Sequence, residues 1–516
     1  MKIYNFFSRI PPRYWGYLIL LLWSYIVLLL VRHDAFNLDE GATKALLLAW
    51  AIADNLAISV VTFGTPDLRT VLFIPIGILE PGSVFAAKVF TVLSFAATVG
   101  LLYCWRRRSV DTECALIGTS LLLVAPLTLQ QIDTLSPGTY LLLAFALGAW
   151  LNQAYRAAPH TGGGWYFAQL FICAVSISLH PAGLAYPLAL LWSWYKDPLD
   201  SRQQKYYFIG VSFVMLLSLF TMYIGNGWHD LEWKQNPIIN LSTIVLGSSI
   251  NNEASTIRWV AGSLILIWLI IVLVKQLGNL WTDFTGRTLL FGLVIGAATS
   301  DKAWCMMVLC IILYFGLPLL LNRPATQGGF FRQRGVVLIL VVILFTLFTR
   351  ADKTHYEIRQ MGILSEQDQL IKTLAEEAEI ARKAYAEDEA LGLIEPADKT
   401  QHQVEDVEAG IIKEPDSKKI AALNPNHLRI ASQWPGRTMI ACRCDTLPLP
   451  PAAKDPQTQL AIMRGITHLI FDPQQIQNEA LTRNLAMLNS SIETIALQPG
   501  GVLLHIRNTN SNTGNE

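Results

Sequence analysis

The sequence predicts a polytopic α-helical membrane protein, with about 11 transmembrane helices at roughly 20 residues each, that ends in a C-terminal soluble α/β domain. Three observations carry that prediction. Apolar residues fill 52% of the 516 positions and charged residues only 15%, where a soluble domain carries roughly a quarter charged. The apolar residues are gathered into long runs between 14 and 349, and mean hydropathy over the chain is +0.38. Beyond 349 the chain turns polar, then alternates strand-like and helix-like segments. The division that follows is 1–349 for the membrane domain, 350–422 for an acidic helical linker, 423–508 for a small α/β domain and 509–516 for a disordered Asn-rich tail.

The runs able to cross lie near 14–31, 83–104, 113–129, 137–155, 165–179, 181–195, 206–224, 257–275, 288–300, 303–321 and 336–349. The first is long enough to span, and Arg32-His33-Asp34 stands where a signal peptide would carry small residues. It therefore reads as an uncleaved anchor. Lys and Arg in short loops set orientation. With the N-terminus inside, the inner loops hold fifteen of them, including Arg106, Arg107, Arg108 and Arg156, against five outside. That bias, with an odd number of crossings, puts residues 350–516 on the outer side. The formal net charge of zero hides this segregation. No basic stripe interleaved with aromatics marks a nucleic-acid partner. Of seven cysteines only Cys442 and Cys444 lie in the polar part, and one C-x-C makes neither a disulfide framework nor a four-ligand zinc site.

The outer loop 32–82 is the richest in chemistry. Asn37-Leu38-Asp39-Glu40 opens it with two adjacent carboxylates. Leu46, Ala49, Trp50, Ala53 and Leu56 follow at helical spacing, predicting a helix over 42–56 that lies in the interface plane. Val71 to Leu79 is too short to span, and Pro75 and Gly77 predict a break in it. Trp228 and Trp233, in the outer loop 225–256, suit the headgroup level. After 350, residues 351–410 hold fifteen acidic side chains against six basic. Ser365 to Asp368 resembles a capping box. Ile371, Leu374, Ala378, Ala381 and Tyr385 then describe an amphipathic helix that packs on the next domain. Within 423–508, strands are predicted at 438–441, 468–471 and 502–506, and helices at 457–464 and 479–488. That domain contains no Gly-rich phosphate loop, no G-x-S-x-G and no H-E-x-x-H.

A sugar moved from a lipid-linked phosphate to a hydroxyl needs a carboxylate for the acceptor proton. It also needs positive charge or a metal for the departing phosphate. Asp39 and Glu40 are the candidate carboxylates, and with Asp67 they offer oxygen ligands for a divalent metal ion. Lys44, Arg69 and Lys88 are candidate phosphate contacts. Each residue has a plainer reading beside it. Asp39 suits the N-cap of the following helix with Glu40 in its first turn, and Asp67 suits the turn after Pro66. Lys88 is able to snorkel to headgroups, and His180 before Pro181 suits a kink. Asp133 borders an apolar run, where an ionisable group is costly and marks function by default.

These stretches resemble the GT-C superfamily of membrane glycosyltransferases, nearest to protein O-mannosyltransferases and the lipid A aminoarabinose transferase. The resemblance runs from about residue 10 to 195. Asn37-Leu38-Asp39-Glu40-Gly41 is similar to the family's D-E segment, whose Asp is the catalytic carboxylate or a metal ligand. Gly64-Thr65-Pro66-Asp67-Leu68 stands where relatives carry Lys-Pro or His-Pro. Phe85-Ala86-Ala87-Lys88-Val89 stands where they carry a basic residue opening the second crossing. Gln131-Ile132-Asp133-Thr134 matches their outer-face Asp, and Leu179-His180-Pro181 falls where they often show Lys-Gly. The resemblance implies an enzyme of the bacterial inner membrane with a periplasmic C-terminal domain. It implies inverting transfer from a polyprenyl-phosphate sugar donor to an envelope acceptor, whether lipid, glycan or protein. Membrane lipid is its surroundings. Asp67 and His180 depart from the basic residues of the pattern, which keeps a non-catalytic scaffold of the same fold as an alternative. A polysaccharide polymerase or ligase is the other. It would carry key Arg and His residues in a large mid-chain outer loop, whereas 225–256 is modest and has His229 but no Arg outside the adjoining crossing.

Overall fold

The computed structural model describes residues 12–31, 40–53, 68–80, 83–109, 112–157, 163–196, 206, 208–217, 241, 255–299, 302–320, 366–390, 429–442, 446–475, 478–488, 491–498 and 501–506. The chain forms two compact units. One comprises 1–34, 48–56 and 65–356, and the other comprises 35–47, 57–64 and 357–516.

The first unit is helical. Its elements are α1 (Pro12–Leu30), the later turns of α2 (Glu40–Ala53), α3 (Leu68–Leu79), α4 (Val84–Ser109), α5 (Thr112–Val124), α6 (Pro126–Asp133), α7 (Pro137–Ala157) and α8 (Gly163–Leu179). A 3₁₀ turn (Pro181–Leu184) leads into α9 (Ala185–Lys196), and α10 (Ser255–Thr282), α11 (Phe284–Ala298) and α12 (Lys302–Leu320) follow. Two of these helices, α4 and α10, are long and apolar enough to cross a bilayer alone. The pair α5–α6 reaches that length as one span bent by 63°. The segment expected over 206–224 is helical over 208–217, and the run 336–349, with Trp228 and Trp233, lies outside the described residues. α10 states the solvent plainly. Val274 is 77% exposed and Ile267 and Ile270 stand beside it on the outer stripe, while Ile265, Leu269 and Val272 are buried. An apolar stripe left open on that scale belongs in lipid.

Without water, each hydroxyl in these helices needs a partner within the protein. Thr91, Thr98, Thr119 and Thr288 donate to the carbonyls of Ala87, Ser94, Ala115 and Phe284, one turn back. The bend between α5 and α6 falls at Pro126, whose nitrogen has no hydrogen to give the carbonyl of Leu122. That carbonyl instead accepts the Thr128 hydroxyl at 2.9 Å and the Ala125 amide at 3.3 Å. The interruption expected at Pro75 and Gly77 does not occur, and α3 runs through both residues. A Cβ at Gly77 would stand 3.2 Å from Trp50 and Ala53, so the small residue lets α3 press on α2 and packing overrides propensity. Of the predicted apolar face of α2, Leu46, Ala49 and Trp50 are buried.

Arg106, Arg107 and Arg108 end α4. Trp105 Nε1 donates to Asp283 Oδ2 at 2.8 Å between α10 and α11, and Arg156 reaches Ser193 near the end of α9. Arg106, Arg107, Arg108 and Arg156 thus lie at one end of the bundle. Lys88, in the second turn of α4, lies about 27 Å away at 1.5 Å per residue.

In the second unit a five-stranded sheet has the order β2-β1-β3-β5-β4, with β1 (Ile430–Ser432), β2 (Thr446–Pro448), β3 (His468–Phe471), β4 (Ile492–Gln498) and β5 (Gly501–Ile506). β1 is parallel to β2 and β3, whereas β5 is antiparallel to β3 and β4. The helix α13 (Glu366–Ala390) covers one face, burying Leu370, Ile371, Leu374 and Ala378 with Ile430, Ile470 and Leu503. The amphipathic helix therefore packs on the sheet as its spacing predicts. Ser365, and the side chains of Ala381 and Tyr385, lie outside the described residues. α15 (Pro456–Ile462) and α16 (Glu479–Ala486) accompany the other face, where Leu481 and Leu485 meet Ala431, Leu469 and Leu504. The strand expected at 438–441 is instead part of α14 (Pro435–Cys442). Pro435 starts a helix well, and the Thr438 hydroxyl bonds that of Ser432 at 2.7 Å, turning the segment back over β1.

One row of this sheet is titratable. His468 pairs in register with His505, and His505 with Glu493. The two imidazoles lie 5.0 Å apart, His468 Nε2 is 3.5 Å from Glu377 Oε2 on α13, and its Nδ1 is 3.0 Å from Thr467 Oγ1. Burial, with His505 second, pushes His468 down to about 4. Burial pushes the Glu377 carboxyl up, and His505 opposes that. A histidine depressed on folding takes its proton first in the unfolded chain. The stability present above pH 6.5 is therefore lost as pH falls toward 4, by roughly 2–3 kcal/mol. Glu377 works in the opposite sense, since a raised carboxyl loses stability as pH rises above 4.5. Amide hydrogen exchange of β3 and β5 in the full chain should show protection falling between pH 6.5 and 4, and His468→Gln should flatten that slope.

Candidate active site

The end of α4 away from the arginines holds the charged residues of interest. Ser83 Oγ accepts the Ala86 amide at 3.2 Å and starts the helix. One turn later Lys88 is fully buried, and its Nζ donates to Asp133 Oδ1 at 2.6 Å. Asp133 is the last residue of α6, and its side chain is 18% exposed. An ammonium in an apolar bundle costs several kcal/mol unless it is matched by a charge with good geometry. Asp133 provides that match. The bend at Pro126 carries Asp133 there.

The chain then reverses sharply. Leu135 takes φ +55°, a conformation unusual for a branched side chain, with its amide on Ile132 O and the Ser136 amide on Gln131 O. Ser136 Oγ accepts the Gly138 amide, so α7 begins under Pro137 with a capped first turn. The buried Arg69 of α3 lies at the same turn, its Nη1 3.5 Å from Leu135 O. Two cations thus meet the C-terminal end of α6, where helix carbonyls carry partial negative charge. Tyr140, in the first turn of α7, bonds Thr91 of α4 at 2.6 Å. Its ring lies 6.0 Å from both Phe90 and Phe73. Sequence reasoning missed Thr91 and Tyr140. Thr91 stands three residues after Lys88 and so shares its helix face, a signal that was present.

Of the predicted site residues, Arg69, Lys88 and Asp133 come together. His180 does something different. It caps the 3₁₀ turn, its Nδ1 accepting the Ala182 amide at 3.1 Å, and its ring lies 6.0 Å from Trp304. A Cβ at Gly183 would strike the Ser176 carbonyl, so this turn is tightly seated. Lys44 is half-buried on α2. Helix α2 begins at Glu40, one residue after Asp39. Asp39, Asp67 and the side chain of Glu40 lie outside the described residues. Among the described residues no three His, Cys, Asp or Glu side chains group as a metal site.

No protein-family model and no curated protein matches the chain by sequence. Solved structures do match by shape. The chain aligns with ArnT from Cupriavidus metallidurans in the apo state at a TM-score of 0.54 and 11% identity, covering 95% of this chain and 97% of the other. The same protein bound to undecaprenyl phosphate aligns at 0.53 and 12% over the same shares. The archaeal oligosaccharyltransferase AglB from Archaeoglobus fulgidus, in complex with an inhibitory peptide and a dolichol-phosphate, aligns at 0.48 and 9%, covering 93% and 72%. The chain shares its fold with ArnT. The particular likeness is to ArnT, the lipid A aminoarabinose transferase, along nearly the whole of both chains.

The ion pair yields a clear outcome for mutation. Asp133→Asn leaves the Lys88 ammonium buried against a neutral amide and should cost about 3–5 kcal/mol. The double variant Lys88→Met with Asp133→Leu should recover much of that stability. Thermal unfolding in detergent measures both.

Proposed function

We propose that this protein transfers a sugar from a polyprenyl-phosphate donor to an acceptor hydroxyl at the outer face of the bacterial inner membrane, with inversion. The observation that carries the reading is the buried Lys88–Asp133 pair with Arg69 at the same turn, set in a GT-C fold. In this reaction the acceptor O–H gives its proton to a carboxylate and its oxygen attacks the anomeric carbon. The bond from that carbon to the phosphate oxygen breaks. The donor is a phosphodiester with one negative charge and the departing lipid phosphate is a monoester approaching two. The protein must therefore stabilise charge that appears as the bond breaks.

Lys88 suits that task. Asp133 holds and aims the ammonium, and burial strengthens what an ammonium binds. Arg69 adds a second cation at the same turn. Lys44 is assigned a contact to the donor phosphate. Asp39 is assigned the acceptor proton, with Glu40 supporting it. This assignment rests on the sequence resemblance. Asp133 is a positioning residue, and Asp67 and His180 are given secondary contacts to donor or acceptor. Inversion follows from a single direct displacement. The acceptor belongs to the envelope, and the α/β domain is assigned to its recognition.

A non-catalytic scaffold is the second reading, favoured by one observation: the His180 ring nitrogen is spent on a cap. One assay separates the two. Purified protein is given a radiolabelled polyprenyl-phosphate sugar and an envelope acceptor fraction. Transfer by wild type should fall by about 10²–10⁴-fold in Asp39→Asn and by about 10²–10³-fold in Lys88→Met, with both variants still folded. Equal transfer by wild type and Asp39→Asn would remove the proposed base, and no transfer by wild type favours the scaffold. Repeating the assay with a chelator decides whether Asp39 and Glu40 act through a divalent cation.

A further inference from the structure

The opposite end of the bundle carries a cleft that the transfer reaction does not use. It is a shallow, open recess among α4, α7 and the start of α11. Its polar lining comprises Arg108, Gln153 and Thr285, and its apolar wall includes Leu101, Leu102 and Trp150. Arg108 is exposed and donates to Gln153 Oε1. Thr285 is only 4% exposed, and its hydroxyl finds no hydrogen-bond partner among the described residues. A buried hydroxyl without a partner costs about 1–3 kcal/mol, and here it lines an open cleft beside a cation.

The three consecutive arginines of α4 diverge. Arg106 is buried, with Nη2 3.4 Å from Phe315 O and its guanidinium 5.6 Å from the Trp105 ring. Arg107 lies over Tyr103. Only Arg108 turns toward α7. No acidic residue lines the cleft. The nearby Asp283 is engaged by the Trp105 indole and by the Gly286 amide that it caps. The electrostatics therefore favour an anion. Leu101 and Leu102 lie about 10 Å deeper along α4 than Arg108, at 1.5 Å per residue. That is the step from a phosphate at the headgroup level to the upper acyl chain. Trp150, 46% exposed, suits that boundary as an amphipathic aromatic.

We propose that this cleft binds one anionic glycerophospholipid, its phosphate held by Arg108, Gln153 and the Thr285 hydroxyl and its acyl chain laid along Leu101, Leu102 and Trp150. The arginine keeps further N–H donors beyond the one given to Gln153. A basic recess between helices with an apolar continuation is the pattern that retains anionic headgroups.

Native mass spectrometry of the full chain in detergent tests this, with dioleoyl phosphatidylglycerol, dioleoyl phosphatidylcholine and inorganic phosphate as probes. Wild type should retain one phosphatidylglycerol with about a ten-fold preference over phosphatidylcholine, a gap of roughly 1.4 kcal/mol. Arg108→Gln should remove most of that preference and Thr285→Val should reduce it. Millimolar inorganic phosphate should fail to displace the lipid. Equal retention of both lipids, or an unchanged preference in Arg108→Gln, overturns the proposal. Displacement by inorganic phosphate overturns the lipid assignment in favour of a simple anion site. Should Thr285→Val fail to fold, Arg108→Gln decides the matter alone, because its side chain is exposed and its loss leaves the core intact.

Discussion

A fully buried ammonium inside an apolar helical bundle is the constraint on which the rest of the candidate site depends. Lys88 has no water to solvate it, so a carboxylate must be brought within bonding distance and held there. That demand explains features that otherwise look like faults. Pro126 bends the α5–α6 span so that α6 ends at Asp133. Thr128 then occupies the carbonyl that the proline frees. Leu135 adopts an unfavourable φ so that α7 can start at once and bring Tyr140 beside Thr91. Each is a local cost accepted for a fixed ion pair, which is where strain tends to gather.

The polarity of the bundle follows from the same economy of charge. Lys88, Asp133 and Arg69 sit near one end, while Arg106, Arg107, Arg108 and Arg156 gather near the other. The stretch of α4 between them is apolar and lined with hydroxyls bonded to their own helix. A ligand with a phosphate and a hydrocarbon chain suits either end, but by different means. At the first end the proposed role of the paired cation is to meet charge created in a reaction. At the second an exposed arginine and a hydroxyl without a partner among the described residues are proposed to meet charge already present on a headgroup. The likeness to ArnT concerns fold, and the chemistry of this chain rests on its own residues.

Much of the architecture was legible in the sequence because lipid punishes exposed backbone so heavily that apolar runs become helices almost regardless of detail. The helix α2, the buried stripe of α13 and two of the five strands followed from periodicity. The misreadings came where periodicity is short. Four residues of Thr438 to Ala441 fit a strand or a helix equally well, and only Pro435 and the bond to Ser432 settle the matter. β1 and β2 are three residues each, too brief for a period to show. The line from Pro75 to Gly77 reads as a break until Trp50 is set against it.

By itself the sequence determined the class of protein, the sorting of charge to the two ends and the short roster of ionisable residues that sit where they are expensive. Those are properties of composition and order, and burial costs in lipid make them nearly decisive. Only the tertiary structure decided which of those residues meet. Lys88 and Asp133 are 45 positions apart, and nothing in their spacing pairs them; a bent span and a strained turn do. His180 looked equally expensive in the sequence, yet its ring is committed to its own turn by a backbone amide two residues on. A charge in an apolar run announces that a partner exists, and the fold alone says which.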